Sequence, residues 1–138
     1  MSAVLADRRV LGLFTPGDHG STFGGNPLGA AIAREALKVL IDEGLIENAR
    51  RQGEYLIGGL QRIESDNIAE VRGRGLFAGV ELVPAAGGAR RFAEALKEEG
   101  LLCKETHETV IRFAPPLVVT REDLEWALER IENVLMMP

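Results

Sequence analysis

In the segment Leu76-Phe77-Ala78-Gly79-Val80-Glu81-Leu82-Val83, an aliphatic residue recurs at every second position. This spacing is typical of a β-strand with one buried and one open face, because successive side chains of a strand point to opposite sides. Outward from this segment, short strands are also predicted at residues 2–6, 101–104 and 110–113. The sequence therefore predicts a small sheet.

Helical segments surround these strands. Apolar side chains spaced by three and four residues predict helices over residues 27–43, 46–64, 89–99 and 121–136, and residues 7–14 suit one or two helical turns. Asn26 followed by Pro27 is a helix start signal, and Thr120 with Asp123 resembles a capping box. The helix after Asn26 has a wide apolar face, so we expect it to be mostly buried.

The predicted order is helix, helix, strand, helix, strand, strand, helix after the short N-terminal pieces. Helices that cover one face of a small, mostly antiparallel sheet bury the apolar surfaces of both, so we expect an α/β fold of the α+β sandwich type. A soft boundary near Gly44 separates residues 1–43 from a compact domain over residues 44–138. Gly53 lies on an apolar helix stripe, where either a close helix contact or a tolerated weak position fits.

Composition excludes several classes of function. The chain has 138 residues, a formal net charge of −5 and one cysteine. An acidic balance argues against a nucleic-acid partner, and no apolar run approaches the roughly 18 residues of a membrane helix. The single cysteine excludes an internal disulfide and a cysteine-built zinc site, and no metal site is predicted. We find no signal-peptide pattern and expect a cytoplasmic location.

The segment over residues 15–27 is the best candidate for a binding site. Four glycines and two prolines among these thirteen residues exclude regular structure. The segment ends at a helix N-terminus, where free backbone N–H groups attract anions, and Ser21 and Thr22 add hydroxyl donors. A phosphate site is one interpretation, and a glycine-rich turn without a ligand is the other.

Arg112 is the second candidate because it stands among apolar residues in a predicted strand. A guanidinium there either binds a ligand carboxylate through two parallel hydrogen bonds, or it belongs to an edge strand or a structural ion pair. His19 and His107 fit ordinary polar loop residues, and Cys103 fits a small core residue. No nucleophile–base pair is evident.

Three ordered segments together resemble the class III aminotransferases, which depend on pyridoxal phosphate. They are GDHGSTFGGNPLG at residues 17–29, VRGRGL at residues 71–76, and Thr106-His107 followed by IRFAPPL at residues 111–117. The last is similar to the ornithine-specific branch of the family, and the first also resembles the acetylornithine-specific branch. The resemblance implies that the second domain is the family's C-terminal small domain, after a remnant of its large domain.

The resemblance also implies a homodimeric enzyme with pyridoxal phosphate as cofactor and amino acids and 2-oxo acids as substrates. It would move the δ-amino group of ornithine to 2-oxoglutarate, giving glutamate semialdehyde and glutamate. Ser21 and Thr22 would bind the phosphate of the cofactor in the partner subunit. Arg112 would bind a substrate carboxylate, or a glutamate that competes with it.

The family's Schiff-base lysine has no counterpart at Lys38, Lys97 or Lys104. We therefore expect no catalytic residue in this chain, no bound cofactor and no activity when the chain is alone. The alternatives are a fragment specific for acetylornithine or another ω-amino acid, and a non-catalytic α/β binding or assembly module.

Overall fold

The computed structural model describes residues 2–138, which divide into two compact units, one ending at Glu43 and the other beginning at Gly44. The first unit contains the helices α1 (Arg8–Leu11) and α2 (Pro27–Asp42). The second contains α3 (Leu45–Gln61), β1 (Ile68–Arg74), β2 (Phe77–Leu82), α4 (Ala89–Glu98), β3 (Lys104–Thr106), β4 (Val110–Phe113) and α5 (Arg121–Leu135). The predicted helices are confirmed, with ends that differ from the predictions by three residues or fewer.

The four strands form one sheet in the order β1-β2-β4-β3, and every neighbouring pair is antiparallel. Helix α3 contacts β1 and β2, α4 contacts β3 and β4, and α5 contacts α3 and α4. Val80 and Ile111 on the covered face share one buried cluster with Leu56 of α3 and Phe92 of α4. The predicted α/β fold, an antiparallel sheet with helices on one face, is confirmed.

The register across the sheet defines its other side, which we call the open face. Arg72, Gly79 and Arg112 lie next to each other on β1, β2 and β4 and belong to this face. Val80, one residue along β2, is fully buried, whereas Arg112 is exposed. The alternation predicted for β2 is therefore present, with its aliphatic side chains toward the helices.

Helix α3 lies directly against the turn between β1 and β2. A Cβ atom at Gly53 would overlap the carbonyl carbon and oxygen of Gly75, so no side chain fits there. Gly75 itself has a φ of +56°, a left-handed conformation that glycine adopts readily. Farther along α3, a Cβ at Gly59 would overlap Cδ1 of Leu128 on α5. The close-contact interpretation of Gly53 is confirmed.

Two strand predictions in the second unit need correction. Strand β1 was not predicted, because as an edge strand it buries little and most of its residues are polar or glycine. The strand predicted at residues 101–104 instead occupies Lys104–Thr106. Continuing the register from Lys104 and Arg112 would place residues 101–103 opposite residues 113–115. Strand β4 ends at Phe113, and the two prolines after Ala114 donate no backbone hydrogen bond.

Two predictions for the first unit are wrong. Residues 2–6 form no strand and are exposed, and α2 has no buried residue although its face carries Leu28, Ile32 and Ile41. The physical reason is that a strand or an apolar helix face is buried only where another element covers it. In the described part of this unit the only other helix is α1, which has four residues. It is too short to cover α2.

The contact between α3 and the β1–β2 turn predicts the effect of a matched pair of alanine substitutions. Gly53→Ala should lower the free energy of unfolding by at least about 1–3 kcal/mol, the cost of overpacking against backbone that cannot move aside. Gly58→Ala, in the same helix, meets only the Nη1 atom of Arg62 at 3.5 Å. It should raise stability by up to about 1 kcal/mol through helix propensity. Urea unfolding followed by circular dichroism measures the free energy of unfolding of both variants. Equal changes in the two variants would contradict a close contact at Gly53.

Candidate functional site

The glycine-rich segment before α2 is folded by its own short-range hydrogen bonds. The backbone N–H and the hydroxyl of Thr15 both donate to Oδ2 of Asp18, at 2.6 and 2.9 Å. These bonds hold the pKa of the Asp18 carboxyl below its usual value. The side-chain amide of Asn26 donates to the carbonyl of Phe23 at 2.6 Å. The segment thus has defined turns at both ends.

The N-terminus of α2 has few free donors. Pro27 has no N–H, the N–H of Gly29 donates to Oδ1 of Asn26 at 2.8 Å, and the N–H of Ala30 donates to the Asn26 carbonyl at 3.0 Å. In the first turn, this leaves the Leu28 N–H, which has no acceptor among the described residues. The expected N-cap is confirmed, and it corrects the expectation of several free N–H groups, because the same asparagine that begins the helix occupies them.

A pocket of about 600 Å³ lies beside this helix start, lined by Ser21, Gly24, Gly25 and Asn26 among others, with no charged residue. The Ser21 and Thr22 side chains make no hydrogen bond within residues 2–138, and both residues are exposed. Ser21 lines the pocket and Thr22 does not. A free hydroxyl next to two glycines offers a donor without side-chain bulk, so these residues fit a phosphate group held by neutral donors.

The open face of the sheet carries the second pocket, of about 330 Å³. It is lined by Arg72, Gly73, Arg74, Phe77, Ala78, Gly79, Thr106, His107, Val110 and Arg112. All four strands and the turn after β3 contribute residues. Because Arg72 and Arg112 flank Gly79 in register, the middle strand presents no side chain between the two guanidinium-bearing residues.

The two arginines differ in their partners. The Arg72 guanidinium forms ion pairs with Glu81 at 2.5 Å and Glu70 at 3.0 Å, and these carboxylates, Glu81 foremost, raise its pKa. Among the described residues no carboxylate lies within 4.0 Å of Arg112. Its guanidinium lies 5.6 Å from the centre of the Phe77 ring. Since β4 is an inner strand, neither the edge-strand nor the ion-pair interpretation of Arg112 holds.

The turn that joins β3 to β4 is strained where it meets this pocket. His107 and Glu108 have φ values of +50° and +62°, in the left-handed region that non-glycine residues seldom adopt. His107, which the sequence suggested to be an ordinary polar loop residue, lies in the pocket lining with Thr106. His19 is exposed in the first unit, where no hydrogen bond to its side chain is found within the described segment.

Of the residues at this pocket, Arg112 was predicted from the sequence, whereas Arg74, Phe77 and Gly79 were not. They could have been predicted only together with strand β1 and its pairing to β2. Once β1 is paired with β2, alternation puts Arg72 and Arg74 on the face of Arg112. Ser21 and Thr22 belong to the first unit and Arg112 to the second.

Metal ions and lipid bilayers are two further classes of partner. Within residues 2–138 no group of three or more His, Cys, Asp or Glu side chains is arranged to hold a metal ion. Over the same residues, no helix combines the length and the apolar character needed to cross a lipid bilayer.

The amino-acid sequence of the chain matches a known family over nearly its whole length. Residues 1–135 match the family described as Aminotransferase class-III, so the chain belongs to the class-III aminotransferases. It is 63% identical to ornithine aminotransferase of Staphylococcus carnosus over 134 residues, which are 97% of this chain and 33% of that protein. The chain therefore spans about a third of the length of such relatives.

Solved structures agree with this assignment. Ornithine aminotransferase of Plasmodium falciparum superposes with a TM-score of 0.86 at 40% identity, over 95% of this chain and 35% of that one. Acetylornithine aminotransferase of Elizabethkingia anophelis superposes with a TM-score of 0.82 at 41% identity, over 96% and 36%. Both the ornithine and the acetylornithine enzymes thus share this fold.

Cys103 lies outside both pockets and packs against the core of the second unit. Burial raises the pKa of its thiol to about 11, and the nearby Glu105 carboxylate adds to the shift. The thiolate is the reactive form of cysteine, so a raised pKa makes the thiol unreactive near neutral pH. The expectation of a small core residue is confirmed.

The raised pKa of Cys103 predicts slow alkylation. At pH 8, iodoacetamide should modify the folded chain at least about tenfold more slowly than the chain unfolded in urea, where a cysteine pKa is about 8.5. The rate for the folded chain should keep rising with pH toward 11. N-acetylcysteine in the same two solvents controls for the effect of urea on the reagent. Equal rates in the folded and unfolded chain would refute a shifted pKa.

Proposed function

We propose that the chain is the C-terminal portion of a pyridoxal-phosphate-dependent ornithine aminotransferase. The enzyme transfers the δ-amino group of ornithine to 2-oxoglutarate and gives glutamate semialdehyde and glutamate. Membership of the class-III family supports an aminotransferase, and identities of 58% and 63% to ornithine aminotransferases support ornithine as the substrate. In this proposal residues 1–43 belong to the large domain, and residues 44–138 form the small domain. The homodimer and the cytoplasmic location remain predictions.

Arg112 carries the proposal. Its guanidinium has no acidic partner among the described residues, and it stands on an inner strand at a pocket of about 330 Å³. A guanidinium presents its N–H groups as a planar fork that fits the two oxygens of a carboxylate. Amino acids and 2-oxo acids both carry that group. Arg112 therefore binds a substrate carboxylate and fixes the orientation of the substrate.

Ser21 and Thr22 hold the phosphate of the cofactor in the partner subunit. Their hydroxyl groups make no hydrogen bond within the part of the chain that the structure describes, and Ser21 lines a pocket whose glycines leave room for an anion. When bound, pyridoxal phosphate supplies the electron sink on which an amino group can move from one carbon skeleton to another. The protein's part in this unit is to position that group through neutral donors.

The chain alone does not catalyse the reaction in this proposal. The chemistry needs a lysine whose amine is positioned at the cofactor. Lys38, Lys97 and Lys104 lie on α2, α4 and β3, and none of them lines the two pockets described above. A second candidate, acetylornithine aminotransferase, is supported by the superposition at a TM-score of 0.82.

The first test uses the chain alone. Mixed with pyridoxal phosphate, ornithine and 2-oxoglutarate, it should form no glutamate semialdehyde above a blank that contains the cofactor only. Reduction with borohydride followed by peptide mass mapping should find no single preferred lysine. Turnover that Arg112→Gln abolishes would show that one of the three lysines is catalytic after all.

The second test restores the missing part. In a chimera, this chain replaces the matching C-terminal third of the Staphylococcus carnosus enzyme. The chimera should transaminate ornithine in preference to acetylornithine. Arg112→Gln should lower its kcat/KM by about 10- to 150-fold, the loss of one charge-assisted pair of about 1.5–3 kcal/mol.

The matched control is Arg51→Gln, which removes an exposed arginine of α3 that lines neither pocket. It should leave kcat/KM unchanged. A chimera that prefers acetylornithine would decide for the second candidate.

A further inference from the structure

The turn between β3 and β4 is fixed by hydrogen bonds to three successive carbonyl groups. Within the turn, the Thr109 N–H donates to the His107 carbonyl at 2.6 Å. From outside it, the Ala89 N–H donates to the Glu108 carbonyl at 2.7 Å, and the Leu82 N–H donates to the Thr109 carbonyl at 2.8 Å. A strained backbone persists only where its surroundings determine it in this way. The left-handed conformations of His107 and Glu108 are therefore imposed by the rest of the fold.

One of these bonds comes from the first residue of helix α4. The N–H groups in the first turn of a helix have no acceptor within that helix, and the Ala89 N–H finds one in the β3–β4 turn. A Cβ atom at Gly88, which has a φ of +91°, would lie 3.5 Å from the same Glu108 carbonyl oxygen. Arg90 adds an ion pair to Glu105 of β3 at 3.1 Å. The start of α4 is thus attached to the β3–β4 hairpin.

The His107 side chain is free to meet a ligand. It is exposed, it lines the Arg112 pocket, and its imidazole makes no hydrogen bond within residues 2–138. Two left-handed residues in a hairpin turn are usually asparagine and glycine, and this turn has His107 and Glu108 instead. Departures from such local preferences are expected at functional sites. The turn therefore places a free N–H donor at the pocket in a conformation that its own residues do not favour.

We propose that His107 contacts the substrate bound at Arg112, and that Ala89 is the positioning residue that holds His107 at the pocket. The imidazole of His107 donates a hydrogen bond to an oxygen atom of the substrate. Ala89 does not line the pocket and acts through the Glu108 carbonyl. This proposal rests on the proposed function, which places a substrate carboxylate at Arg112, and it adds a second protein contact and the helix that orients it.

The contact is tested by a nuclear magnetic resonance titration of the ¹⁵N-labelled chain with 2-oxoglutarate. The ligand should shift the imidazole resonances of His107, and His107→Ala should weaken binding about 2- to 12-fold, the range for one neutral hydrogen bond. His19→Ala is the matched control, because His19 is the other histidine of the chain and lies in the first unit. It should bind as the unsubstituted chain does. Unchanged imidazole resonances, or an unchanged affinity in His107→Ala, would overturn the proposal.

The positioning role is tested by a double-mutant cycle. Ala89→Pro removes the N–H at the first position of α4, where proline is tolerated, so circular dichroism should show the helix content of the unsubstituted chain. This variant should weaken 2-oxoglutarate binding by no more than His107→Ala does. In the His107→Ala background it should have no further effect, because effects that act through one residue are not additive. An equal loss in both backgrounds would show a general structural effect and overturn the role of Ala89.

A measurement on the unsubstituted chain decides the same point if Ala89→Pro fails to fold. Coupling is reciprocal, so a ligand that binds better while the Ala89–Glu108 hydrogen bond is closed also favours the closed bond. Saturating 2-oxoglutarate should therefore slow hydrogen exchange of the Ala89 amide. The Leu28 amide, in the first turn of α2, is the control and should exchange at an unchanged rate. An unchanged rate at Ala89 would overturn the coupling.

The proposed function and this proposal fail separately. A chimera whose transamination depends on Arg112, together with a chain in which His107→Ala leaves 2-oxoglutarate binding unchanged, rejects only the proposal for His107 and Ala89. A chimera that is indifferent to Arg112→Gln, together with a chain whose binding of 2-oxoglutarate is weakened by His107→Ala, rejects only the proposed function.

Discussion

The second unit depends on one contact, the backbone of α3 at Gly53 against the turn that contains Gly75. Two backbone segments of the chain approach each other here so closely that no side chain would fit between them. This approach sets the distance between helix and sheet, and Gly59 does the same between α3 and α5. The aliphatic side chains of β2 and β4 are then enclosed on one side. The polar side of the same strands faces outward as a consequence, and Arg112 with it.

The parts of the fold that the sequence predicted are those whose signal is local. The alternation in β2, the cap at Asn26 and the capping box at Thr120 each depend on neighbours within a few residues, and all three are present. Edge strand β1 was not predictable in this way, because its pairing with β2 rather than its own apolar content makes it a strand. The position of β3 depends on two prolines that lie nine to twelve residues farther along the chain. Burial of α2 depends on whether another element covers it, and the periodicity of its apolar residues does not predict such a partner.

The two candidate sites were found in the sequence for different reasons. Arg112 was identifiable because a charged residue among apolar neighbours needs an explanation, and Ser21 and Thr22 because small residues before a helix suit an anion. Arg74, Phe77 and Gly79 were not identifiable, since they join Arg112 only through the register of three strands. That the packing does not require glycine at position 79 follows only from the distances around it in the folded chain.

The turn between β3 and β4 has a consequence for how the protein tolerates change. His107 and Glu108 each hold a left-handed backbone that costs of order 1–3 kcal/mol outside glycine, and asparagine or glycine would adopt it with less strain. Variants selected for heat resistance alone would therefore accumulate asparagine and glycine at these two positions. The change at position 107 would also remove the imidazole from the pocket beside Arg112. At this turn, a substitution that relieves backbone strain therefore also changes the lining of the pocket.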